Sequence, residues 1–456
     1  MRKLYTFLGT TDYREYTYTL PGDLGVSSPT RFAQIAILEM LERMGSTPDE
    51  IIVFLTAAAR DKNWFSRIDS DGRTIPGLLD TLITAFGEDR FRIRIVEIDD
   101  DDTGDALWRL FEQMAEEAQA NDEICIDITY SFRSTPVLSL IIGNYVSVLH
   151  GVKLTGLYYG KVPGKTPGKK SGLISEIQPG TGRQSCDAPV ETPGRLSDGA
   201  SPSPPAVIHD MTEMLNLFKW SQAIEAYLRT GNAQLLLNIV KELTTVSETD
   251  RAFMELAERL NRVSKAIETC RGRMVEPAIN EARAQLNRLK ADPSGRLKPF
   301  QKLLDQISRK LEGFRPGPYE DKLLFIVDWC IRHHLYQQGY TFLHEGMLTV
   351  LVRHAGLNPA IFGNRVRIKN VIYEALGKRD PGRPLPPDLM RLAESWKPFA
   401  SELAFFADLA HYRNSINHGQ ATGPGYAPDE LVDKLEHYRG SAVKMLGILH
   451  ELPRMR

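Results

Sequence analysis

The first 160 residues alternate between short apolar runs, which are typical of strands, and amphipathic stretches, which are typical of helices. The predicted strands are residues 4–10, 51–56, 91–98, 123–129 and 152–160. The predicted helices lie near residues 30–44, 75–87, 104–119 and 135–149. Near-continuous apolar strands separated by amphipathic helices predict a mostly parallel sheet covered on both faces. We therefore expect an α/β Rossmann-like domain over residues 1–160, with residues 13–20 as an extra strand in a hairpin.

The pattern changes after residue 160. Residues 161–204 contain "KVPGKTPGKKSG" and "SDGASPSPP" and are rich in proline, glycine and serine. Such a stretch buries little apolar surface, so we interpret it as a linker or long insertion between two domains. Residues 205–456 show helical periodicity in nearly every window, with glycine and proline breaks that separate about eight to ten helices. This half is predicted to be an all-α domain.

Composition limits the classes of function. The 456 residues are 42% hydrophobic and 25% charged, as in a globular protein, and the formal net charge of −2 gives no global attraction to nucleic acid. Any polyanion site must therefore be local. The four cysteines form no C-x-x-C pair, which indicates a reducing compartment and no zinc knuckle. We find no signal-peptide pattern and no bilayer-spanning segment, so we expect a cytoplasmic protein that does not bind membranes.

A candidate ligand site lies beyond the carboxyl ends of the predicted strands, where open α/β sheets bind ligands. Gly9-Thr10-Thr11 follows the first strand, Thr56 follows the second, and "DITYSFRSTP" (127–136) follows the fourth. In that last stretch Ser134 or Thr135 can cap a helix, and a helix N-terminus favours an anion. Arg133 adds a fork of donors suited to phosphate.

These residues predict a nucleotide or phosphodiester pocket. The alternative is a neutral scaffold whose loops only turn the chain and cap helices. Neither G-x-G-x-x-G nor a P-loop motif is present, which argues against dinucleotide cofactors and P-loop chemistry.

A second candidate is "HYRNSINHGQ" (411–420) near the C-terminus. Arg413 continues an apolar helix face, where an unpaired charge is costly, and His418 precedes Gly419, a typical C-cap residue. Five residues turn an ideal helix by about 140°, so Arg413 and His418 do not share a face. They meet only at a cleft edge, at a distorted helix end or across a two-fold axis. The alternative is a plain helix end, with Arg413 in a salt bridge at a helix–helix contact and His418 near the negative end of the dipole.

The residue types suit RNA cleavage. RNA carries its own nucleophile, the 2′-OH, so His418 needs only to move protons near neutral pH. Arg413 stabilises charge that develops on the phosphate, and Asn414 and Asn417 are candidates to orient the histidine or the phosphate.

Other motifs have plainer interpretations. Glu345 lies in an apolar helix and is predicted to pair with a buried arginine. "DDDDTGD" (99–105) is typical of a solvated helix start, and "RHH" (332–334) and "HEG" (344–346) lack zinc spacing. The basic segment 295–315 is interpreted as a solvated amphipathic face rather than a guide for single-stranded RNA.

Several segments resemble a known family. "FLGTTDY", "VFLTAAARDKNW" (53–64), "DITYSFRSTPVLSLI" (127–141) and "LTGLYYG" (154–160) resemble the CARF domain of CRISPR-associated Csx/Csm-type proteins of type III systems. "RNSINHG" resembles the R-x4-H motif of their HEPN domain. The resemblance covers both domains and misses mainly residues 161–204. One departure is Ser131, where the family commonly has glycine.

The resemblance implies a homodimer or higher homo-oligomer whose CARF domains form one symmetric pocket for a cyclic oligoadenylate, with cyclic tetra-adenylate favoured. It implies a metal-independent HEPN endoribonuclease that needs no cofactor, cuts single-stranded RNA and leaves a 2′,3′-cyclic phosphate. The implied activator-binding residues are Gly9, Thr10, Thr11, Thr56, Thr129, Ser131, Phe132, Arg133 and Ser134. The implied catalytic residues are Arg413 and His418, assisted by Asn414 and Asn417.

Asn63 and Trp64 match a further family signature, for which packing is an alternative role. Two other functions stay open from the residues. One is a HEPN toxin-like RNase that responds to a different nucleotide, and the other is a non-enzymatic nucleotide-sensing regulator whose helical half only mediates dimerisation.

Overall fold

The computed structural model describes residues 1–101, 103–132, 134–163, 205–242, 248–291, 300–379, 384–419 and 425–452. The chain divides into two compact units, Met1–Asn216 and Leu217–Arg456. The first is an α/β unit and the second is all-helical, which confirms the predicted fold class.

The N-terminal unit is built on a seven-stranded sheet with the order β2-β9-β8-β7-β1-β3-β6. Its strands, together with the separate small hairpin β4–β5, are β1 Arg2–Leu8, β2 Tyr18–Thr19, β3 Glu50–Leu55, β4 Arg67–Ile68, β5 Thr74–Ile75, β6 Arg92–Glu97, β7 Glu123–Asp127, β8 Lys153–Lys161 and β9 Ala206–Asp210. The five strands from β8 to β6 are mutually parallel. At the other edge, β9 runs antiparallel to β8, so the sheet is mixed rather than purely parallel.

Helices cover both faces of this sheet. They are α1 Ala33–Arg43, α2 Ala57–Ala59 (which continues into a π turn, Arg60–Trp64), α3 Leu78–Phe86, α4 Gly104–Glu116 and α5 Thr135–His150. Strand β1 shows why two cores form: Leu4 and Leu8 pack with α1 and α3 on one face, whereas Tyr5 and Phe7 pack with α4 and α5 on the other. Successive side chains of a strand point to opposite faces, and a strand buried on both faces is apolar throughout.

The predicted hairpin near residues 13–20 is also present. Isolated antiparallel bridges join Tyr16 to Thr30 and Thr19 to Val26, and strand β2 is part of the first arm of this hairpin. Strand β2 forms the edge of the sheet, and its neighbour on the inner side is β9, with Tyr18 paired to Ala206.

The prediction of helix from residue 205 onward is wrong at its start. Ala206–Asp210 is β9, which lies between β2 and β8 and pairs Val207 with Lys161. The strands on either side of residues 162–205 therefore belong to one sheet, and the division between the units falls at Asn216–Leu217 instead. Residues 164–204 lie outside the described residues. The strand was missed because it is five residues long and a helix pattern begins directly after it.

The helical unit is formed by α6 Thr212–Thr230, which begins in the first unit, and by α7 Gln234–Glu242, α8 Glu248–Glu268, α9 Gly272–Lys290, α10 Gln301–Glu312, α11 Tyr319–Arg332, α12 Tyr336–His354, α13 Phe362–Ala375, α14 Pro387–Trp396, α15 Ala400–Asn417 and α16 Pro428–Glu451. Helix α12 is central, since it packs against α11, α13, α15 and α16. Twelve of its nineteen residues are buried, so any charged side chain on it must find a partner inside the bundle.

Candidate functional site

Arg413 lies near the C-terminal end of α15, where the neighbouring Leu409 and Tyr412 are buried in the bundle core. Its half-buried side chain faces α12. Nη1 donates to Oε1 of Glu345 at 2.8 Å and lies 2.9 Å from Nδ1 of His344. The guanidinium is thus fixed at a helix–helix contact, as the structural alternative for this residue predicted.

Glu345 connects two arginines. Its Oε2 accepts a hydrogen bond from Nη2 of Arg365 on α13 at 2.5 Å, while its Oε1 accepts from Nη1 of Arg413. Arg365 is itself held by Oγ1 of Thr349 at 2.9 Å. The hydrogen bond with His344 and the Arg365 guanidinium outweigh burial and hold the pKa of the Glu345 carboxyl at about 2. The predicted pairing of Glu345 with an arginine is confirmed, but there are two arginines and both are half-buried rather than buried.

His344 forms the inner wall of this site. Its ring is buried and stacks on Phe406 of α15, with ring centroids 4.7 Å apart. Burial lowers the pKa of His344, so the imidazole is neutral near neutral pH. Its Nδ1 lies 3.0 Å from Oε1 of Glu345 as well as close to Arg413, so the buried ring confines the guanidinium by packing against it.

Asn414 completes the enclosure of Arg413. Its Oδ1 accepts hydrogen bonds from Nε at 3.2 Å and from Nη2 at 2.8 Å. Side-chain oxygens and the His344 ring therefore surround Arg413 on both edges. Among the described residues, the second N–H of Nη2 has no hydrogen-bond partner.

His418 lies at the end of the same helix. It is the C-cap residue of α15, its backbone N–H donates to the carbonyl of Asn414 at 2.9 Å, and its side chain is exposed. Gly419 follows with φ of 56°, the left-handed conformation that commonly stops a helix. Asn417 is also exposed, and its Oδ1 accepts from Nε2 of Gln337 on α12 at 3.2 Å. The structure thus brings Asn414 to Arg413, and it places Asn417 with Gln337 rather than with either proposed catalytic residue.

Two cations of the site were missed from the sequence. Arg365 contacts Glu345 directly, and Lys369, one helical turn further along α13, interacts electrostatically with Glu345, Arg413 and Arg365. Burial lowers the pKa of Lys369. The available signal was the four-residue spacing of Arg365 and Lys369, which puts both on one helix face. Three cations face one carboxylate, so the cluster around Arg413 carries an excess of positive charge, and no contact joins it to the His418 side chain among the described residues.

A small pocket is present at the predicted ligand site of the N-terminal unit. Its volume is about 90 Å³, and it lies at the carboxyl ends of β1 and β3. Five of the nine predicted activator-binding residues line it, namely Gly9, Thr10, Thr56, Ser131 and Phe132. Thr11, Thr129 and Ser134 are not among its lining residues, and Arg133 lies outside the described residues. Ser134 occupies the N-cap position of α5, but its side chain makes no capping hydrogen bond to the described residues, so the predicted cap is present in position only.

Thr129 has an internal role. Its hydroxyl donates to Oδ1 of the fully buried Asp127 at 2.5 Å and accepts from the backbone N–H of Gly160 at 2.8 Å. Thr6 donates to the other carboxylate oxygen at 2.7 Å. Burial raises the pKa of Asp127, and these donors replace the water it has lost. The Thr129 side chain is therefore committed to the interior of the sheet.

Asn63 shapes the loop of the pocket. Its Nδ2 donates to the carbonyl oxygens of Gly9 at 2.8 Å and Thr11 at 3.0 Å, and the adjacent Trp64 is buried in the core. The hydroxyl of Tyr13 accepts from the backbone N–H of Gly9 at 2.9 Å. The loop that carries three predicted ligand residues is thus fixed from beneath by packed side chains.

Parts of this chain are similar in sequence to known CRISPR-associated proteins. Residues 216–313, which begin at the boundary between the two units, match a family model described as the second domain of CRISPR-associated protein MJ1674. CRISPR-associated protein MJ1674 of Methanocaldococcus jannaschii is 24% identical over 272 residues. That alignment covers 59% of this chain and 35% of the relative, so the chain spans about a third of the length of the curated relative it matches. These matches confirm the resemblance to CRISPR-associated proteins.

A solved structure also aligns with the chain. It is Enterococcus italicus Csm6 bound to cyclic hexa-2′-fluoro-hexa-dAMP, at 12% identity and a TM-score of 0.44. The alignment covers 100% of this chain and 95% of that chain. Within the described ranges, no helix is long and apolar enough to cross a membrane.

Proposed function

We propose that this chain is a metal-independent endoribonuclease of type III CRISPR defence, with a CARF sensor unit and a HEPN effector unit, activated by a cyclic oligoadenylate. The observation that carries the proposal is the arrangement around Arg413. A guanidinium fixed by Glu345, His344 and Asn414 lies at the end of the helix whose next turn presents His418 to solvent. A fixed cation and an exposed imidazole within five residues of each other are groups suited to a reaction at a phosphodiester.

The chemistry follows from the groups present. His418 accepts the proton of a ribose 2′-OH, and the 2′ oxygen attacks the adjacent phosphorus. The bond from phosphorus to the 5′ oxygen breaks, and that oxygen leaves with a proton, giving a 2′,3′-cyclic phosphate and a 5′-OH. Arg413 stabilises the charge on the phosphoryl oxygens in the transition state. Because the nucleophile is part of the RNA, the step needs no metal, and DNA is not a substrate.

Each protomer contributes one histidine of this motif, whereas the reaction uses both an acid and a base. We therefore propose a composite cleft in which His418 of a second copy supplies the other proton transfer. Asn414 keeps a positioning role through Arg413. Asn417, bound to Gln337, retains only a proposed role in orienting the substrate.

The activator is proposed to bind at the carboxyl ends of β1 and β3, where Gly9, Thr10, Thr56, Ser131 and Phe132 line the small pocket. A volume of about 90 Å³ is far below the roughly 300–1,000 Å³ of pockets that enclose a nucleotide-sized ligand. One copy therefore supplies part of a site, and this supports a ring-shaped ligand shared by two copies. Cyclic tetra-adenylate is the favoured activator.

An apolar face on the N-terminal unit supports the homodimer. Helix α5 exposes a stripe of large apolar side chains, and Trp108 of α4 lies beside it through Phe111 and Tyr145. The stripe, called here the α5 face, consists of Val137, Ile141, Tyr145, Val148 and Leu149. Val148 is 83% exposed and Trp108 is 66% exposed. Contiguous apolar surface of this kind is typical of an interaction site.

The test replaces the two proposed catalytic residues one at a time. We expect Arg413→Ala and His418→Ala each to abolish cleavage of a fluorogenic RNA, with cyclic tetra-adenylate and EDTA present, while the melting temperature and activator binding stay near those of the parent. His411→Ala is the matched control, because it removes an exposed histidine from the same helix. An all-deoxy oligonucleotide of the same sequence lacks the 2′-OH and should remain uncut.

Retention of more than a few per cent of parental activity in both variants would overturn the assignment of the active site. Equal cleavage with and without cyclic oligoadenylates would favour a toxin-like RNase that answers to another nucleotide. No cleavage by the unsubstituted protein under any of these conditions would favour the non-enzymatic regulator.

A further inference from the structure

A cavity in the helical unit lies between α10 and α11, and none of its lining residues belongs to the Arg413 site. Its volume is about 440 Å³, which is within the range of small-molecule sites. The residues that line it and bear on its chemistry are Arg309, Lys310, Asp321, Phe325, Asp328 and Arg332. None of them takes part in the proposed cleavage.

Lys310 is the unusual member of this set. Its Nζ donates to the carbonyl oxygen of Leu228 at 2.7 Å, lies 2.6 Å from Nε2 of His333, and sits 4.5 Å from the ring centroid of Trp329. Nδ1 of His333 bonds the carbonyl oxygen of Arg229 at 2.7 Å, which makes Nε2 the acceptor for the lysine. Two of the three ammonium donors are thereby used, and the third has no hydrogen-bond partner in the described part of the chain.

The charge of Lys310 has no counter-ion. Among the described residues, no carboxylate lies within ion-pair distance of its ammonium group. Burial, with a smaller contribution from the Arg332 charge, lowers the pKa of Lys310 to about 7. A half-buried cation is normally offset by a nearby carboxylate, because withdrawing a charge from water is costly. An anion in the adjacent cavity would supply that missing partner.

The rest of the cavity wall is also positive. Arg309 and Arg332 are exposed, and in the described part of the chain neither forms an ion pair. Of the two carboxylates, Asp328 is neutralised by a bidentate bond from Arg439, at 2.8 Å for each contact. This leaves Arg309, Arg332 and the partly protonated Lys310 against Asp321. Phe325, half-buried at the wall, offers an aromatic surface on which a base can stack.

We propose that this cavity is a nucleotide-binding site, in which Arg309, Lys310 and Arg332 hold a phosphate group and Phe325 contacts the base. The occupant is a phosphate-bearing nucleotide unit, either free or within a single RNA strand. The proposal does not depend on the cleavage chemistry, because the site shares no residue with the Arg413 cluster. Two of its residues, Arg309 and Lys310, come from the basic segment 295–315.

Binding is measured by calorimetry on the full chain carrying His418→Ala, so that RNA stays intact. The two probes are uridine 5′-monophosphate and an oligouridylate of eight nucleotides, which lack the adenine expected at the N-terminal site. We expect the Arg309→Ala/Arg332→Ala double variant to bind both probes at least tenfold more weakly. Asp321→Asn should bind them more tightly, since it removes the one uncompensated carboxylate.

Arg288→Ala is the matched control, since Arg288 is an exposed helical arginine outside the cavity, and its affinities should stay within twofold of the parent. Tighter binding of the oligonucleotide than of the mononucleotide would identify an RNA strand as the occupant, and the reverse would identify a free nucleotide. Unchanged affinity in the double variant, or weaker binding in Asp321→Asn, would overturn the proposal. RNA cleavage by the parent chain, measured separately, tests the proposed function on its own.

Discussion

Glu345 holds two guanidinium groups with one carboxylate, and this makes it the positioning residue of the site. Arg413 approaches from α15 and Arg365 from α13, so a single side chain on the buried helix α12 sets the relative position of both. Its charge is favourable here because two cations offset the loss of water. The position of Arg413 therefore depends on a residue outside the R-x4-H motif.

Replacing Glu345 by glutamine tests that dependence. Gln keeps the shape and one acceptor but loses the charge, so Arg413 remains present and is less firmly placed. We expect kcat for RNA cleavage to fall roughly 10- to 100-fold with little change in KM, since misplacement by about 1 Å costs on that order. Glu255→Gln, which breaks an exposed pair with Arg259, is the control. An unchanged kcat would remove Glu345 from the mechanism.

The same substitution has a pH signature. The folded-state pKa of Glu345 is about 2, below its ordinary value of 4.5. Its contribution to stability is therefore present above pH 4.5 and is lost as the pH falls through 2. Acid denaturation curves of the parent should be steeper in this window than those of Glu345→Gln. Coincident slopes would show that the carboxylate is not stabilised by its arginines.

Single residues were predictable from sequence where a local rule applied. Gly419 as a helix stop follows from its place along the chain, and a cationic partner for Glu345 follows from the cost of an unpaired charge in an apolar helix. The identity of that partner did not follow. Glu345 and Arg413 are 68 residues apart, and no local pattern indicates which two helices touch.

At the scale of elements, sequence predicts best the strands and helices that keep one hydrophobic pattern over their whole length. Strands β1, β3 and β7 are buried on both faces, so their apolar runs marked them clearly. Helix α5 has a different character, because it is apolar on its core side and also on its outer side. A helix that is apolar all round is expected to be covered all round. At the level of elements, the α5 face is therefore the feature that supports the proposed second copy.

Val148→Glu tests this face. Val148 is 83% exposed, so the substitution should barely affect folding of one chain, whereas a glutamate buried between two copies is strongly unfavourable. We expect the dimer dissociation constant, measured by light scattering across a dilution series, to rise at least tenfold. Ile68→Glu is the control, since Ile68 is equally apolar and exposed on the β4–β5 hairpin. If Val148→Glu and the parent have the same oligomeric state, the face has another partner.

At the scale of the whole molecule, the proposed activator must favour one state of the dimer over another, and its effect is limited by that difference in affinity. Arg133 carries the charge-assisted contact in this proposal, and losing such a bond costs roughly 1.5–3 kcal/mol. That is about one to two decades in affinity. Arg133→Ala should therefore raise the activating concentration of cyclic tetra-adenylate at least tenfold, while cleavage at saturation recovers.

Calorimetry and cleavage titrations on the same preparation measure both quantities. Arg92→Ala is the control, because it removes an exposed arginine at the amino end of β6, away from the carboxyl ends of the strands. Unchanged binding in Arg133→Ala would place the pocket elsewhere. Lost binding with cleavage still at the activated level would show that the two units are uncoupled.

The position of β9 has a consequence for how the chain can be divided. This strand lies between β8 and β2, both of which come from the residues before 164, yet it belongs to the segment that continues directly into α6. If the chain is divided within 164–204, the C-terminal fragment carries at its start the strand that fills a gap in the other fragment's sheet. Fragments 1–163 and 205–456 should therefore co-purify when they are co-expressed, and deletion of 205–211 should abolish this. By the same geometry one copy can lend its β9 to another, so strand exchange is open to this protein as a route to assembly.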